Sequence, residues 1–149
     1  IKELVVMGGS TSPLHKEHNI GSDPEAAKLV FGSGIPITMV GLNVTRKVLM
    51  GQEELQRIKE SETPVAQLVA DQVERYLKYK GVDKTPMHDP LAIAVAIDKS
   101  LVRIEKMNLS ITDEGQTIPG ERGEQGIDVC LEVDVPRFKD LLLSNITKP

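Results

Sequence analysis

A strand, a helix and a second strand follow one another between residues 4 and 40, and that order leaves few folds open. Leu4-Val5-Val6-Met7 is a short, unbroken apolar run, as expected of a parallel strand covered on both faces. Gly8-Gly9 permits a tight exit from its carboxyl end. Ser22-Asp23-Pro24-Glu25 reads as a capping box, with Ser22 as the cap, Glu25 as its partner and Pro24 in the first turn. Ala26, Ala27, Leu29, Val30 and Phe31 supply the buried side of the helix that follows, and Gly32 and Gly34 end it. Residues 35–40 then read as the second strand. Parallel neighbours need a crossover of this kind, so the chain is expected to be α/β, with an open, mostly parallel sheet flanked by helices. In such folds ligands collect beyond the carboxyl ends of the strands. The loops at 10–21 and 41–45 leave from those ends. The first holds His15, Glu17, His18 and Asn19, groups able to grip a polyol or a metal.

The remaining chain extends this layer. Residues 52–60 read as a polar helix, with Leu55 and Ile58 inward and Glu53, Glu54, Lys59 and Glu60 on a solvated face. Thr63-Pro64 opens a longer helix in which Val65, Leu68, Val69, Val73, Tyr76 and Leu77 recur at helical spacing, and Gly81 stops it. Met87-His88-Asp89-Pro90 joins a polar loop to the apolar run at 91–97. Asp89 reads as an N-cap with Pro90 in the first turn. The helix, apolar all round, is expected to be buried, which sets a proton-carrying ring and a carboxylate at the edge of the core. Asp before Pro is also an ordinary cap, and a single His is commonly a surface or packing residue; the pair gains weight from its company. Further on, 107–111 and 127–133 read as strands, 115–126 as a loop rich in Gly, Glu and Arg, and 136–145 as a closing helix with Phe138, Leu141 and Leu142 inward. The stretch 120–126 lacks the Lys and Ser/Thr of a phosphate loop. His15, Glu17 and His18 share a loop with no cysteine nearby, a poor pattern for zinc.

Composition narrows the function classes. At 149 residues the chain is long enough for one domain with a sizeable core. A net charge of −4 with no Lys/Arg block gives no electrostatic footprint for nucleic acid. Two Phe, two Tyr and no Trp make no stacking platform for bases. The single Cys130 excludes an internal disulfide and suits a reducing compartment, so a cytoplasmic location is expected. No apolar stretch reaches the length of a membrane span, and no membrane partner is expected.

In order and spacing, Gly8-Gly9, Glu17-x-Asn19, Asp23-Pro24-Glu25-Ala26-Ala27, Pro36-Ile37-Thr38-Met39-Val40 with Asn43-Val44-Thr45, and His88-Asp89-Pro90-Leu91-Ala92 resemble the second half of an inosine/uridine-preferring nucleoside hydrolase. The resemblance runs over nearly the whole chain and is densest at 4–45 and 87–98. It implies hydrolysis of the N-glycosidic bond of purine or pyrimidine ribonucleosides, as in nucleoside salvage, with a calcium-bound water. Asp89 would be the carboxylate that this half gives to calcium. Glu17 and Asn19 would hold the ribose hydroxyls, and His88 would serve as the catalytic group on the side of the leaving base. Tyr76 would contact the base. Thr11 stands where the family has a sugar-binding Asn, His18 where Phe is common, and Asn43 where Asp is common. The family's amino-terminal cluster, Asp-x-Asp-x-Gly-x-Asp-Asp in form, is missing from residues 1–149. The chain is therefore expected to be the carboxyl-terminal part of a single domain, partnered by a missing half or companion chain and assembled as a homo-dimer or tetramer.

Two other readings compete. The chain could be a non-catalytic product of the same fold, acting as a structural or interaction protein. It could equally be an unrelated α/β binding module in which Asp89 is only a cap.

Overall fold

The computed structural model describes residues 1–12 and 15–148; positions 13 and 14 of the expected 10–21 loop lie outside them. The chain opens with β1 (Leu4–Met7), α1 (His18–Ser22), α2 (Pro24–Phe31), β2 (Ile37–Val40) and α3 (Leu42–Thr45). The middle holds β3 (Leu49–Met50), α4 (Gln52–Lys59), α5 (Pro64–Lys80), β4 (Thr85–Pro86) and α6 (His88–Ile97). A short 3₁₀ turn (Lys99–Leu101) leads to β5 (Val102–Ile111), β6 (Thr117–Arg122), β7 (Ile127–Val133) and α7 (Val135–Thr147).

The main sheet has five strands in the order β1-β2-β7-β5-β6. β1, β2 and β7 run parallel, as the crossover at 4–40 requires, with Met7 opposite Val40. β7, β5 and β6 continue the sheet antiparallel, so the sheet is mixed. β3 and β4 form a separate two-stranded ribbon that ties the loop before α6 to the exit of α3.

Two clusters of buried side chains hold these layers. Val40, Val44, Leu91, Val95, Cys130 and Phe138 pack the sheet against α3, α6 and α7. Met50, Leu55, Ile58, Ala66, Ala70 and Leu143 pack α4 and α5 against α7. Met87 and Leu142 touch both clusters, which makes them one continuous interior.

Several local expectations are corrected. The cap of α2 is Asp23, whose Oδ1 accepts from Ala26 N at 2.9 Å. Ser22 is instead the last residue of α1, and its hydroxyl donates to the His18 carbonyl. α2 has no buried residue, and Leu29 is 72% exposed. On α5 the buried line is Ala66, Ala70 and Leu77, while Val65, Leu68 and Tyr76 face outward. Glu54, expected on a solvated face, is buried: it accepts from Gly51 N at 2.8 Å and pairs with Lys139. α6 begins two residues early, with Met87 as the cap residue, so Asp89 lies inside the first turn. One side of α6 is open, with Ile93 63% and Ile97 73% exposed. The Gly-rich stretch at 115–126 contains the edge strand β6. No helix among the described residues is long and apolar enough to cross a membrane.

Candidate active site

The site is built where β1 and β2 end. After Met7 the chain turns at Gly9, which sits at φ +72; a Cβ there would also lie 2.9 Å from Met39 Sδ and 2.9 Å from Thr117 Cγ2. Only glycine meets both conditions without strain. Leu42 N donates to the Gly9 carbonyl at 2.9 Å, so the exits of the two parallel strands are tied together.

Glu17 then brings the loop back. The residue is 4% exposed, and its carboxylate accepts from three backbone amides: Asn19 N at 2.8 Å on Oε1, and Ile20 N at 2.9 Å and Gly9 N at 3.1 Å on Oε2. The first two make Glu17 the cap of α1, and the third fastens that cap to the exit of β1. A carboxylate offers about four lone-pair positions, so roughly one is left for a ligand. Asn19 is exposed; its Nδ2 donates to the Met7 carbonyl at 3.1 Å. Its Oδ1 makes no hydrogen bond among the described residues.

His88 and Asp89 arrive from the other side. Met87 N donates to the Val48 carbonyl at 2.9 Å, which delivers the first turn of α6 to the exit of α3. There His88 Nδ1 lies 2.7 Å from the hydroxyl of Thr45. Burial holds the His88 pKa below its ordinary value; Asp89 pulls it up, Arg46 pushes it down, and Glu17 pulls it up. Asp89 itself is exposed.

These groups share one cleft of about 330 Å³. Glu17, Asn19, His88 and Asp89 line it, over a floor that includes Met7 and Leu42. A second cavity of about 430 Å³ adjoins it, and His88 and Asp89 line both. Tyr76 lines this second space with Val73, Pro86 and Met87. Thr11 is half-buried in the bend after Gly9 and is not among the residues lining either space. Of the six residues singled out in the sequence, the structure thus gathers His88, Asp89, Glu17 and Asn19 in one cleft, and sets Tyr76 in the neighbouring one.

Lys16 and Arg46 also line the smaller cleft and were not anticipated. Arg46 directly follows Asn43-Val44-Thr45 at the carboxyl end of β2, a position that the strand-end rule reaches. The described residues contain no group of three or more His, Cys, Asp or Glu able to hold a metal. Asp89 offers one exposed carboxylate, while most of the Glu17 carboxylate is taken by backbone amides. A calcium shell of roughly six to eight oxygens is therefore not assembled from these residues alone.

The model of the family described as inosine-uridine preferring nucleoside hydrolase matches residues 1–140. The chain belongs to that family. The match rules out an unrelated α/β module. Within this nucleoside hydrolase family, the chain is 39% identical over 164 aligned residues to the pyrimidine-specific ribonucleoside hydrolase RihA of Photobacterium profundum, which covers 98% of this chain and 53% of that protein. To the protein of the same name from Shewanella woodyi it is 34% identical, with the same 98% and 53% covered. Among solved structures, the purine-preferring ribonucleoside hydrolase from Gardnerella vaginalis matches with a TM-score of 0.86 at 32% identity, over 97% of this chain and 52% of that one. The chain spans about half the length of the relatives it matches.

Proposed function

We propose that the whole protein hydrolyses the N-glycosidic bond of ribonucleosides to ribose and free base, and that residues 1–149 carry its sugar-gripping loop, its base-side ring and one metal-binding carboxylate. The observation that carries this reading is the convergence of Glu17, Asn19, His88 and Asp89 on one cleft at the carboxyl ends of parallel strands. The relatives' names, one for pyrimidine specificity and one for purine preference, support the ribonucleoside class and leave the base open.

N-glycoside cleavage resembles other glycoside chemistry in passing through an oxocarbenium-like state. That state places positive charge on the sugar and an electron pair on the departing base. The remaining lone pair of Glu17 and the free Oδ1 of Asn19 are suited to accept from ribose hydroxyls. The carboxylates of Glu17 and Asp89 favour the developing cation, that of buried Glu17 the more strongly because fixed charges act most where water is excluded. The larger cavity, walled by Tyr76, Val73 and Pro86, suits a flat base. His88 stands on the boundary between the two spaces, where the glycosidic bond would lie, and would donate a proton or a hydrogen bond to the base. Thr11, which lines neither space, is assigned no sugar contact in this reading.

Asp89 is assigned one calcium ligand, with the other ligands and the base that activates water coming from outside residues 1–149. The exposed Leu29, Ile93 and Ile97 are apolar surface suited to cover by that missing portion or by a further copy in a dimer or tetramer. The single buried thiol of Cys130 suits a cytoplasmic setting.

The test is release of free base from uridine and inosine by the whole protein, followed by chromatography. Release that is abolished by calcium chelation and restored by calcium is expected. A whole protein, calcium supplied, that releases base from no ribonucleoside overturns the reading. Undiminished activity after exhaustive chelation overturns the metal assignment alone.

A further inference from the structure

Thr45 is the last residue of α3, and its side chain is completely buried, at 0% exposure. Among the described residues its hydroxyl has one hydrogen-bond partner, His88 Nδ1 at 2.7 Å. A hydroxyl carries one proton, and a buried O–H with no acceptor bears the full desolvation penalty of that group. Among the described residues no other acceptor is hydrogen-bonded to this hydroxyl, so it donates to the sp² lone pair of Nδ1. The opposite arrangement would aim an Nδ1–H at the threonine oxygen and strand the hydroxyl proton in the core. The neutral ring therefore carries its own proton on Nε2. The Nδ1 edge is held against buried Thr45, which leaves the Nε2 edge for the two cavities that His88 lines.

We propose that Thr45 is a positioning residue: its hydroxyl fixes His88 in the Nε2–H tautomer and holds that N–H in the cleft as a hydrogen-bond donor to the leaving base. As the glycosidic bond breaks, its electron pair moves onto the base, and the Nε2–H bond to the base strengthens with the growing negative charge. The ring keeps its proton throughout, and the anionic base takes its proton from solvent water as it leaves. A neutral imidazole that polarises a reacting group in this way is an established catalytic device. The leaving-base half of this proposal rests on the hydrolase reading above. The tautomer half rests on Thr45 and His88 alone.

The experiment has two arms. Nitrogen-15 NMR of the histidine side chains of the whole protein reads the tautomer directly, and the signals lost in His88→Gln are those of His88. The expected result is an unprotonated, hydrogen-bonded Nδ1 and a protonated Nε2 in the native chain. Thr45→Ser should preserve that pattern, and Thr45→Val should shift it toward a mixture of tautomers. In the whole protein, Thr45→Val should lower kcat roughly ten- to hundredfold, part of the ~10²–10⁴ that a positioned acid or donor contributes. KM should be nearly unchanged, and Thr45→Ser should restore the rate. A proton on Nδ1 in the native chain overturns the proposal even if every Thr45 variant fails to fold. So does a folded Thr45→Val protein with native tautomer and native rate. A whole protein that releases no base, with the proton found on Nε2, overturns the hydrolase reading and the leaving-base role while upholding the tautomer.

Discussion

Replacing Glu17 by Gln keeps the shape of the side chain and removes one acceptor. The amide oxygen can take the place of Oε2 and retain the bonds from Gly9 N and Ile20 N, at 3.1 and 2.9 Å. The amide nitrogen then faces Asn19 N, which has donated to Oε1 at 2.8 Å, and two donors meet. One backbone N–H left without a partner costs about 2 kcal/mol, and the loss of negative charge weakens the two surviving bonds by about 1 kcal/mol together. The expected loss is about 3 kcal/mol. With a urea slope of roughly 2 kcal/mol per molar, the unfolding midpoint should fall by about 1.5 M. Far-UV circular dichroism is the suitable probe, since the chain has no Trp. Glu17→Ala should lose about as much, because it removes the cap of α1 and also strands the Gly9 amide. A midpoint for Glu17→Gln within about 0.25 M of the native chain, equivalent to ~0.5 kcal/mol, would refute the account of Glu17 as a carboxylate with most of its capacity spent on the backbone.

Asp89→Asn should leave stability within about 0.5 kcal/mol, because Asp89 is exposed and Met87 is the cap residue of α6; in the whole protein it should weaken calcium binding measured by calorimetry, and unchanged affinity would remove Asp89 from the shell. Gly9→Ala should destabilise by about 1–2 kcal/mol from the left-handed backbone alone, with more from the contacts at 2.9 Å to Met39 and Thr117, as read by thermal unfolding. Burial pushes the Cys130 thiol from 9.0 up to about 12, so alkylation by iodoacetamide should track unfolding and stay negligible in the native chain. Over that same alkaline window the folded chain keeps a proton that the unfolded chain has lost, so stability should fall as pH rises through it, and Cys130→Ala should flatten that fall.

The crossover between β1 and β2 was legible because apolar runs, glycines and a proline-led helix all agree there. The residues of the cleft were legible for a different reason: they sit at strand ends and helix starts, where the order of residue types carries the family resemblance. Other features were hidden by physics that no local pattern states. α1 is only five residues long, too short for a period, and exists because a buried carboxylate gathers its amides. β6 carries Pro119, Gly120, Glu121 and Arg122, a poor strand by composition, and is made by pairing with β5. The start of α6 is set by the Met87–Val48 and His88–Thr45 contacts, which outrank the local preference of Asp for a cap. Leu29, Ile93 and Ile97 show that apolar character predicts a need for cover and does not say whether these residues supply it.

His88 and Asp89 are consecutive residues of one helical turn, and both cavities end on them. Two jaws thus grow from a single stem, and their separation is set by covalent geometry before any packing is considered. A substitution that tilts this stem carries both jaws with it. It should blunt the grip on the two ends of a ligand in equal measure, while changes confined to either chamber wall would alter which ligands are accepted.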